Sequence, residues 1–376
     1  MSYSLFWKDN NADSEKLSFQ KNDKIASRFK LIKKLGKGGF GEVWEAKDIW
    51  LSQNIALKIS YDDLKKETLI LRRLPKDSYI SIFDYVRDKQ LNISAYSMEL
   101  LLNPWVTLEE YNNDKLRKYF SNSKELYGIK LVVLIAINIL RAISVLHGKK
   151  YSRNDRWCHG DIKPLNLYIN LIGIQHATET LWWKDTSSIV KIGDLGLAKE
   201  YGEILMGGTR NYMAPEQTNG NSSYPSTDIF SIGQTLTALI TGNPFKRSEL
   251  QHINRIRSLL SQYISNPYLV DKLSEILRRM TMTSPVQRPN ANEVISYMAN
   301  LLDDDEWKIL ECFLNPEYKE GLTLSDASYN IFDWLSQVYN WRNRNTERLD
   351  MIKNKVRNMY KRNILLLEGH KYRAFA

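Results

Sequence analysis

The chain has 376 residues, 43% hydrophobic and 26% charged, enough to bury a sizeable core spread over two or three structural units. Its two cysteines, Cys158 and Cys312, lie far apart and outside any C-x-x-C spacing, which argues against a disulfide framework or a zinc site and points to a reducing, cytoplasmic setting. The formal net charge of +10 is concentrated toward the C-terminus, where it would meet an acidic partner or simply solvate a helix face.

The first residues run into Lys8, Asp9 and Asn10 without an apolar core, so no signal peptide is expected. Residues 1–27 are polar and lack a clear period, and read as an extension. Strand-like segments follow at 29–32, 42–46 and 54–59, then a helical period over 64–74 with Leu64, Leu71 and Leu74 on neighbouring faces. Two more strands are predicted at 81–86 and 91–101. After Asn103-Pro104 the pattern turns helical, at 131–147, 226–241, 269–282 and 292–302. The most apolar run, 131–140, is too short to cross a bilayer and ends at Arg141, so it reads as a buried helix and no transmembrane segment is expected. A small strand-rich unit followed by a larger helical one implies two lobes with a cleft between them. The expected boundaries are 1–27, 28–102, 103–302 and 303–376.

In the last of these, Leu349, Ile352, Val356, Met359 and Ile364 fall near helical spacing, and Trp334, Leu335 and Trp341 suggest an earlier helix. From Arg342 onward ten Lys/Arg stand against three Asp/Glu, a net +7. The segment reads as a helical extension docked on the larger lobe, with a regulatory or acidic partner as the functional alternative and no indication of nucleic acid.

Four stretches carry chemistry. Gly36-Lys37-Gly38-Gly39-Phe40-Gly41 lies between two predicted strands, where glycines let backbone N–H groups approach phosphate oxygens. A dinucleotide-binding turn would open a helix, whereas here Glu42-Val43-Trp44 continues as a strand. Lys58 stands in the apolar strand Ile55-Ala56-Leu57-Lys58-Ile59 and either snorkels to solvent or needs an acid, for which Glu67 is preferred over Asp62 and Asp63. His159-Gly160-Asp161-Ile162-Lys163-Pro164-Leu165-Asn166 and Lys191-Ile192-Gly193-Asp194 bring two carboxylates, a lysine and an asparagine into an order that suits phosphoryl transfer, although Gly, Asp, Pro and Asn also make ordinary turns.

Taken with Gly208-Thr209-Arg210-Asn211-Tyr212-Met213-Ala214-Pro215-Glu216, Asp228-Ile229-Phe230-Ser231-Ile232-Gly233, Gly242-Asn243-Pro244-Phe245 and Arg288, this order resembles the eukaryotic-like Ser/Thr protein kinase family from about residue 29 to 302. The resemblance implies an α+β, two-lobed kinase fold with a small β-rich N-lobe, a larger helical C-lobe and a helical C-terminal extension. It implies ATP with magnesium, or manganese in its place, and a protein substrate. Asp161 would orient the substrate hydroxyl, Lys163 would stabilise the moving phosphoryl group, and Thr209 would support both. Asn166 and Asp194 would hold the metal. Gly36, Gly38 and Gly41 would cover the phosphates, and Lys58, paired with Glu67, would position them. Val43 and Ala56 would roof the adenine, with Met98 at the gatekeeper position, Glu99 and Leu101 at the hinge and Tyr168 at the floor. His159, Leu195, Leu71 and Asp228 map onto an internal spine, and Arg288 would pair with Glu216.

The chain departs from the family pattern at four places. Gly160 replaces the arginine that commonly reads an activation-loop phosphate. Tyr168 stands where a small aliphatic floor is usual, and could stack on the base or crowd it. Insertions lengthen 149–157 and 171–188, the second carrying Trp182-Trp183 on an expected surface hairpin. An active Ser/Thr kinase that does without activation-loop phosphorylation is the preferred reading. A pseudokinase scaffold is disfavoured because Lys58, Asp161, Asn166 and Asp194 are all present. A small-molecule phosphotransferase would share His-Gly-Asp, but Glu216, Asp228 and Arg288 favour a protein substrate.

Overall fold

The computed structural model describes residues 19–39, 41–121, 125–148, 156–179, 189–250 and 252–301, together with 306, 309, 322–323, 346–362, 364–368 and 371–374. Two compact units emerge, Met1–Leu69 with Ser81–Leu100, and Ile70–Ile80 with Leu101–Ala376.

The first unit is built on strands β1 (Lys24–Ile25), β2 (Phe29–Gly38), β3 (Gly41–Asp48), β4 (Gln53–Ser60), β5 (Ile82–Asp88) and β6 (Ile93–Met98). They form one sheet in the order β1-β2-β3-β4-β6-β5, and every neighbouring pair is antiparallel. The sheet therefore begins at Lys24, upstream of the first strand expected from sequence, because Phe19 and Ile25 join its core. Alternation along β4 sends Ile55, Leu57 and Ile59 into that core with Phe29, Leu31 and Trp44. Ala56 and Lys58 are thereby turned to the opposite face. The helix Lys65–Leu71 is shorter than predicted. Asp63 starts it by accepting the Lys65 N–H at 2.9 Å.

The second unit is organised by two buried helices. Glu125–Leu146 runs 22 residues, longer than the predicted segment, and by length and hydropathy could span a membrane, yet 83% of its most apolar stretch is buried within the fold. Among the described residues no other helix is that long and apolar. Pro225–Thr241 starts with Pro at its first turn and stops at Gly242, whose φ of +87° supplies the left-handed cap. A small antiparallel sheet sets Leu167–Asn170 between Trp105–Thr107 and Val190–Ile192. Helices Ile253–Leu260, Pro267–Met280 and Ala291–Ala299 complete the part that matches the predicted kinase-like region; the first of these was not foreseen.

Two expectations need correction. The insertion after Asn170 opens as a helix, Leu171–Glu179, rather than a hairpin. Its first turn is nucleated by the Asn170 side chain, whose Oδ1 accepts the Ile172 and Gly173 N–H groups at 3.1 and 2.9 Å. Trp182 and Trp183 lie outside the described residues. The C-terminal extension is not purely helical either. Helix Thr346–Lys361 buries Leu349, Ile352, Val356 and Met359 as its spacing foretold. Past Ile364, however, Leu365–Glu368 and Lys371–Ala374 pair as antiparallel strands with Leu322–Thr323 alongside. A short apolar run such as Leu365-Leu366-Leu367 has no period that separates strand from helix. The Asn266 Nδ2 donates to the Ile364 carbonyl at 2.9 Å and ties this extension to helix Pro267–Met280. Trp334, Leu335 and Trp341 lie outside the described residues.

Arg288 and Glu216 form a bidentate pair at 2.6 and 2.8 Å, with side-chain exposures of 0% and 5%. The guanidinium also donates to the Met282, Thr283 and Ser226 carbonyls, and Thr227 Oγ1 donates to Glu216. A buried pair of this kind contributes by being complete. Arg288→Ala is expected to destabilise the protein by about 3–5 kcal/mol in urea denaturation, because it strands the Glu216 charge, while Glu216→Gln/Arg288→Met together should lose clearly less.

Candidate active site

The loop after His147 is held from below by a single carboxylate. Asp228, fully buried on helix Pro225–Thr241, accepts the His159 N–H on Oδ2 and the Gly160 N–H on Oδ1, both at 2.9 Å, and contacts the His147 Nε2 at 2.9 Å. Burial pushes this carboxyl upward, but the His147 hydrogen bond, the His147 and His159 rings and the Gly160 N–H together hold it below its ordinary value. His159 in turn reaches the Gly193 carbonyl at 3.0 Å, and Leu71 and Leu195 are buried in the same unit.

Gly160 has a φ of +81°. A Cβ there would fall 2.9 Å from the Leu205 Cδ1 and 3.3 Å from the Leu197 carbonyl. The buried Leu205 side chain thus occupies the place a side chain at 160 would need. Gln217, buried beneath, donates to the Gly160 carbonyl at 2.8 Å and to the Gly207 carbonyl at 3.0 Å, which fastens the 205–217 segment to this loop.

Four donors converge on Asp161. Its Oδ1 accepts the Thr209 N–H at 2.8 Å and the Thr209 hydroxyl at 2.9 Å, while its Oδ2 accepts Lys163 Nζ at 2.8 Å and Asn166 Nδ2 at 3.2 Å. Lys163 Nζ also reaches Thr209 Oγ1 at 2.6 Å. Asn166 Nδ2 donates to the Asp161 carbonyl at 2.8 Å as well, so its amide oxygen is directed away from Asp161. Asp194 comes to the same neighbourhood by strand register. Ile192 pairs with Leu167, and the Gly193 N–H donates to the Asn166 carbonyl at 3.0 Å. Asp194 itself sits at φ +59°, a left-handed conformation that aspartate tolerates better than most side chains.

Among the described residues no group of three or more His, Cys, Asp or Glu side chains could hold a metal ion. A donor set of one carboxylate and one amide oxygen, from Asp194 and Asn166 on adjacent strand ends, would fit a hard cation such as magnesium or manganese that keeps water and substrate phosphate in its shell. Tyr168, the residue expected at the floor, is accommodated locally: its ring lies 3.2 Å from where a Cβ on Gly193 would be. Glycine at 193 is what makes room for it. Leu101 is half-buried in the same unit.

In the first unit, Lys58 Nζ meets Glu67 Oε1 and Oε2 at 2.9 and 3.0 Å, both residues being 5% exposed. Tyr96 was not foreseen. It lies opposite Lys58 in the β4–β6 register and donates its hydroxyl to Glu67 Oε1 at 2.8 Å. The Asp63 carboxylate accepts the Lys65 N–H instead, and the Asp62 backbone N–H donates to Ser60 Oγ at 3.1 Å. Gly41, at φ +127°, would place a Cβ 2.1 Å from the Ile59 carbonyl, so only glycine fits, whereas Gly36 and Gly38 face open space. Phe40 lies outside the described residues. Val43 is register partner to both Gly36 and Lys58, and Ala56 to Met98. Glu99 is anchored to Ser81, its N–H on the Ser81 carbonyl at 2.9 Å and its Oε1 on the Ser81 N–H at 2.7 Å.

Residues 29–298 match the family model of the protein kinase domain, and the chain belongs to the protein kinase family, whose members generally use ATP and a divalent metal. It is 25% identical to the serine/threonine-protein kinase PknD of Chlamydia muridarum over 84% of its own length and 36% of that protein's. It is 24% identical to the probable serine/threonine-protein kinase PknB of Lactococcus lactis over 59% of this chain and 33% of that one. The chain thus spans about a third of the length of these relatives. A crystal structure of a kinase domain superposes with a TM-score of 0.54 at 18% identity, covering 76% of this chain and 98% of that one, which establishes the α+β kinase fold.

The Asp228 clasp has a measurable pH signature. Its carboxyl is depressed in the folded state below the ordinary 3.8, so its stabilisation is present above that pH and is lost as pH falls through the folded-state value. His147→Ala removes the leading depressing group, and its acid-unfolding midpoint, followed by circular dichroism, should move to higher pH than that of the wild type. An unchanged midpoint would remove His147 from this role.

Proposed function

We propose that the chain is an ATP-dependent Ser/Thr protein kinase that transfers the γ-phosphoryl group to a protein Ser or Thr hydroxyl in the cytoplasm. The observation that carries this reading is the convergence of Lys163, Asn166 and Thr209 on the Asp161 carboxylate. In this reading, Asp161 orients the acceptor hydroxyl and takes its proton as the new O–P bond forms and ADP leaves. Lys163 stands beside the transferring group and offsets its negative charge, and Thr209 holds both side chains in register. Lys58, kept in place by Glu67 and Tyr96, contacts the α- and β-phosphates, and Gly36, Gly38 and Gly41 bring backbone N–H groups over them. Val43, Ala56, Met98, Glu99, Leu101 and Tyr168 receive the adenine. Asn166 and Asp194 hold magnesium, or manganese, which when bound neutralises phosphate charge.

A protein acceptor is supported over a small molecule by the Glu216–Arg288 pair, which braces the segment that follows Thr209. The relatives' names support Ser/Thr rather than Tyr. The lobes are assigned to 28–102 and 103–302, the first joined by Phe19 and strand Lys24–Ile25 from the preceding stretch 1–27, with 303–376 following as an appendage with a basic face for a regulatory or acidic partner.

Activation-loop phosphorylation is not required in this reading. With Gly160 in place of the phosphate-reading arginine, Leu205 packed over it and Gln217 bonded to its carbonyl, the segment is held by apolar contact and neutral hydrogen bonds. Protein treated with phosphatase should therefore keep its rate of peptide phosphorylation within about twofold, and loss of activity on dephosphorylation would overturn this part. For the activity itself, labelled ATP with magnesium should give autophosphorylation in the wild type. Asp161→Ala and Lys58→Ala should each reduce it by about a hundredfold or more. Incorporation that survives both substitutions would exclude this site as its source.

A further inference from the structure

Immediately after Thr209 the chain runs along the mouth of a pocket of about 530 Å³ in the second unit. Its floor is apolar, made by Met213, Phe230 and Phe245, the two phenylalanines being buried. Gln234, 1% exposed, ties its walls together: Nε2 donates to the Asn211 and Phe245 carbonyls at 3.2 and 3.0 Å, and Oε1 accepts the Phe245 N–H at 3.2 Å. The pocket is thus preformed rather than a gap between mobile side chains.

Three exposed cations, Arg210, Lys246 and Arg247, ring that floor. Among the described residues none of them has an ion-pair partner; Arg247 makes only a 3.4 Å hydrogen bond to the Thr218 hydroxyl. Neither Glu249 nor Glu216 forms an ion pair with these cations. Glu249 accepts the Lys246 backbone N–H at 2.7 Å, and Glu216 is neutralised by Arg288. An apolar floor under cations that make no ion pair among the described residues is complementary to a segment that carries both a large apolar side chain and carboxylates. The chain's own C-terminal segment, net +7 from Arg342 onward, has the wrong sign to fill it.

We propose that this pocket docks the substrate polypeptide: a Phe- or Leu-type side chain enters the floor, and Asp or Glu residues on either side of it pair with Arg210, Lys246 and Arg247. This inference rests on the kinase reading and deepens it, naming an acidic class of substrate. Proximity supports the assignment. Thr209 is bonded to Asp161 on Oδ1, and Arg210 is the next residue, one Cα step of about 3.8 Å away. A polypeptide presenting its hydroxyl to Asp161 therefore meets the cations within a few residues of the acceptor.

Matched peptides with a single Ser and a single Phe, flanked either by Asp or by Lys, test it. The wild type should favour the acidic peptide by about tenfold or more in kcat/KM, mainly through KM, and the preference should shrink as ionic strength rises. Lys246→Glu/Arg247→Glu should abolish or reverse the preference at an unchanged thermal midpoint. Equal use of the two peptides by the wild type, or a preference that survives the charge reversal, would overturn the proposal. Fluorescence anisotropy with the Asp161→Asn protein separates docking from catalysis. The acidic peptide should bind more tightly than the basic one, and that difference should vanish on adding the charge reversal. If no peptide is phosphorylated, the kinase reading fails, while the binding measurement still decides the pocket: indistinguishable affinities overturn it.

Discussion

The second unit depends on one buried carboxylate. Asp228 is fully buried, and its two oxygens collect the His159 and Gly160 N–H groups and the His147 ring. An isolated charge at that depth would be prohibitively unfavourable; three partners make it the point from which the loop is hung. Because His159 also touches the Gly193 carbonyl, the clasp sets the spacing between two segments separated by more than thirty residues of chain. The Leu167–Ile192 pairing completes the framework, delivering Asn166 and Asp194 to adjacent strand ends whatever the length of the connection between them. That is why an insertion can be accepted there without moving Asn166 and Asp194 apart.

Gly160 shows how a change of residue type can relocate a constraint rather than remove it. Where a long cationic side chain would leave the loop and reach for a phosphate, this chain has no side chain, and the buried Leu205 lies against the backbone in its place. Apolar burial and the Gln217 hydrogen bonds operate whenever the protein is folded, whereas a phosphate contact operates only after modification. Leu205 and Gln217 thus fasten the 205–217 segment to the loop at Gly160 without any charged side chain at 160.

Much of this was legible from residue order. The Lys58–Glu67 pair follows from a lysine in an apolar strand that needs an acid, the Thr209 and Lys163 contacts of Asp161 and the Glu216–Arg288 pair follow from the kinase resemblance, and the helices at 225–241 and 346–361 follow from apolar period. What was not legible depends on register or on competition between local signals. Tyr96 reaches Glu67 only because β4 and β6 pair in one particular alignment, and nothing in the residue run specifies it. The helix at 171–179 owes its start to one asparagine side chain, a local hydrogen bond that a hairpin turn could equally have used. The strands after Ile364 come from an apolar run with no period to read.

Paired residues such as Tyr168 and Gly193 carry the same lesson into specificity. A tyrosine two residues beyond Asn166 looks like an obstruction when read alone. With glycine at 193 its ring has space on that side, and Ile80 fills the rest, its Cδ1 lying 2.6 Å from where a Cβ on Gly193 would sit. A Cβ at 193 would press on both neighbours, so the tyrosine at 168 and the glycine at 193 fit together. The departure from the family pattern at 168 is thus compensated inside the same unit. The tyrosine is part of how residues 80, 168 and 193 pack together in this unit.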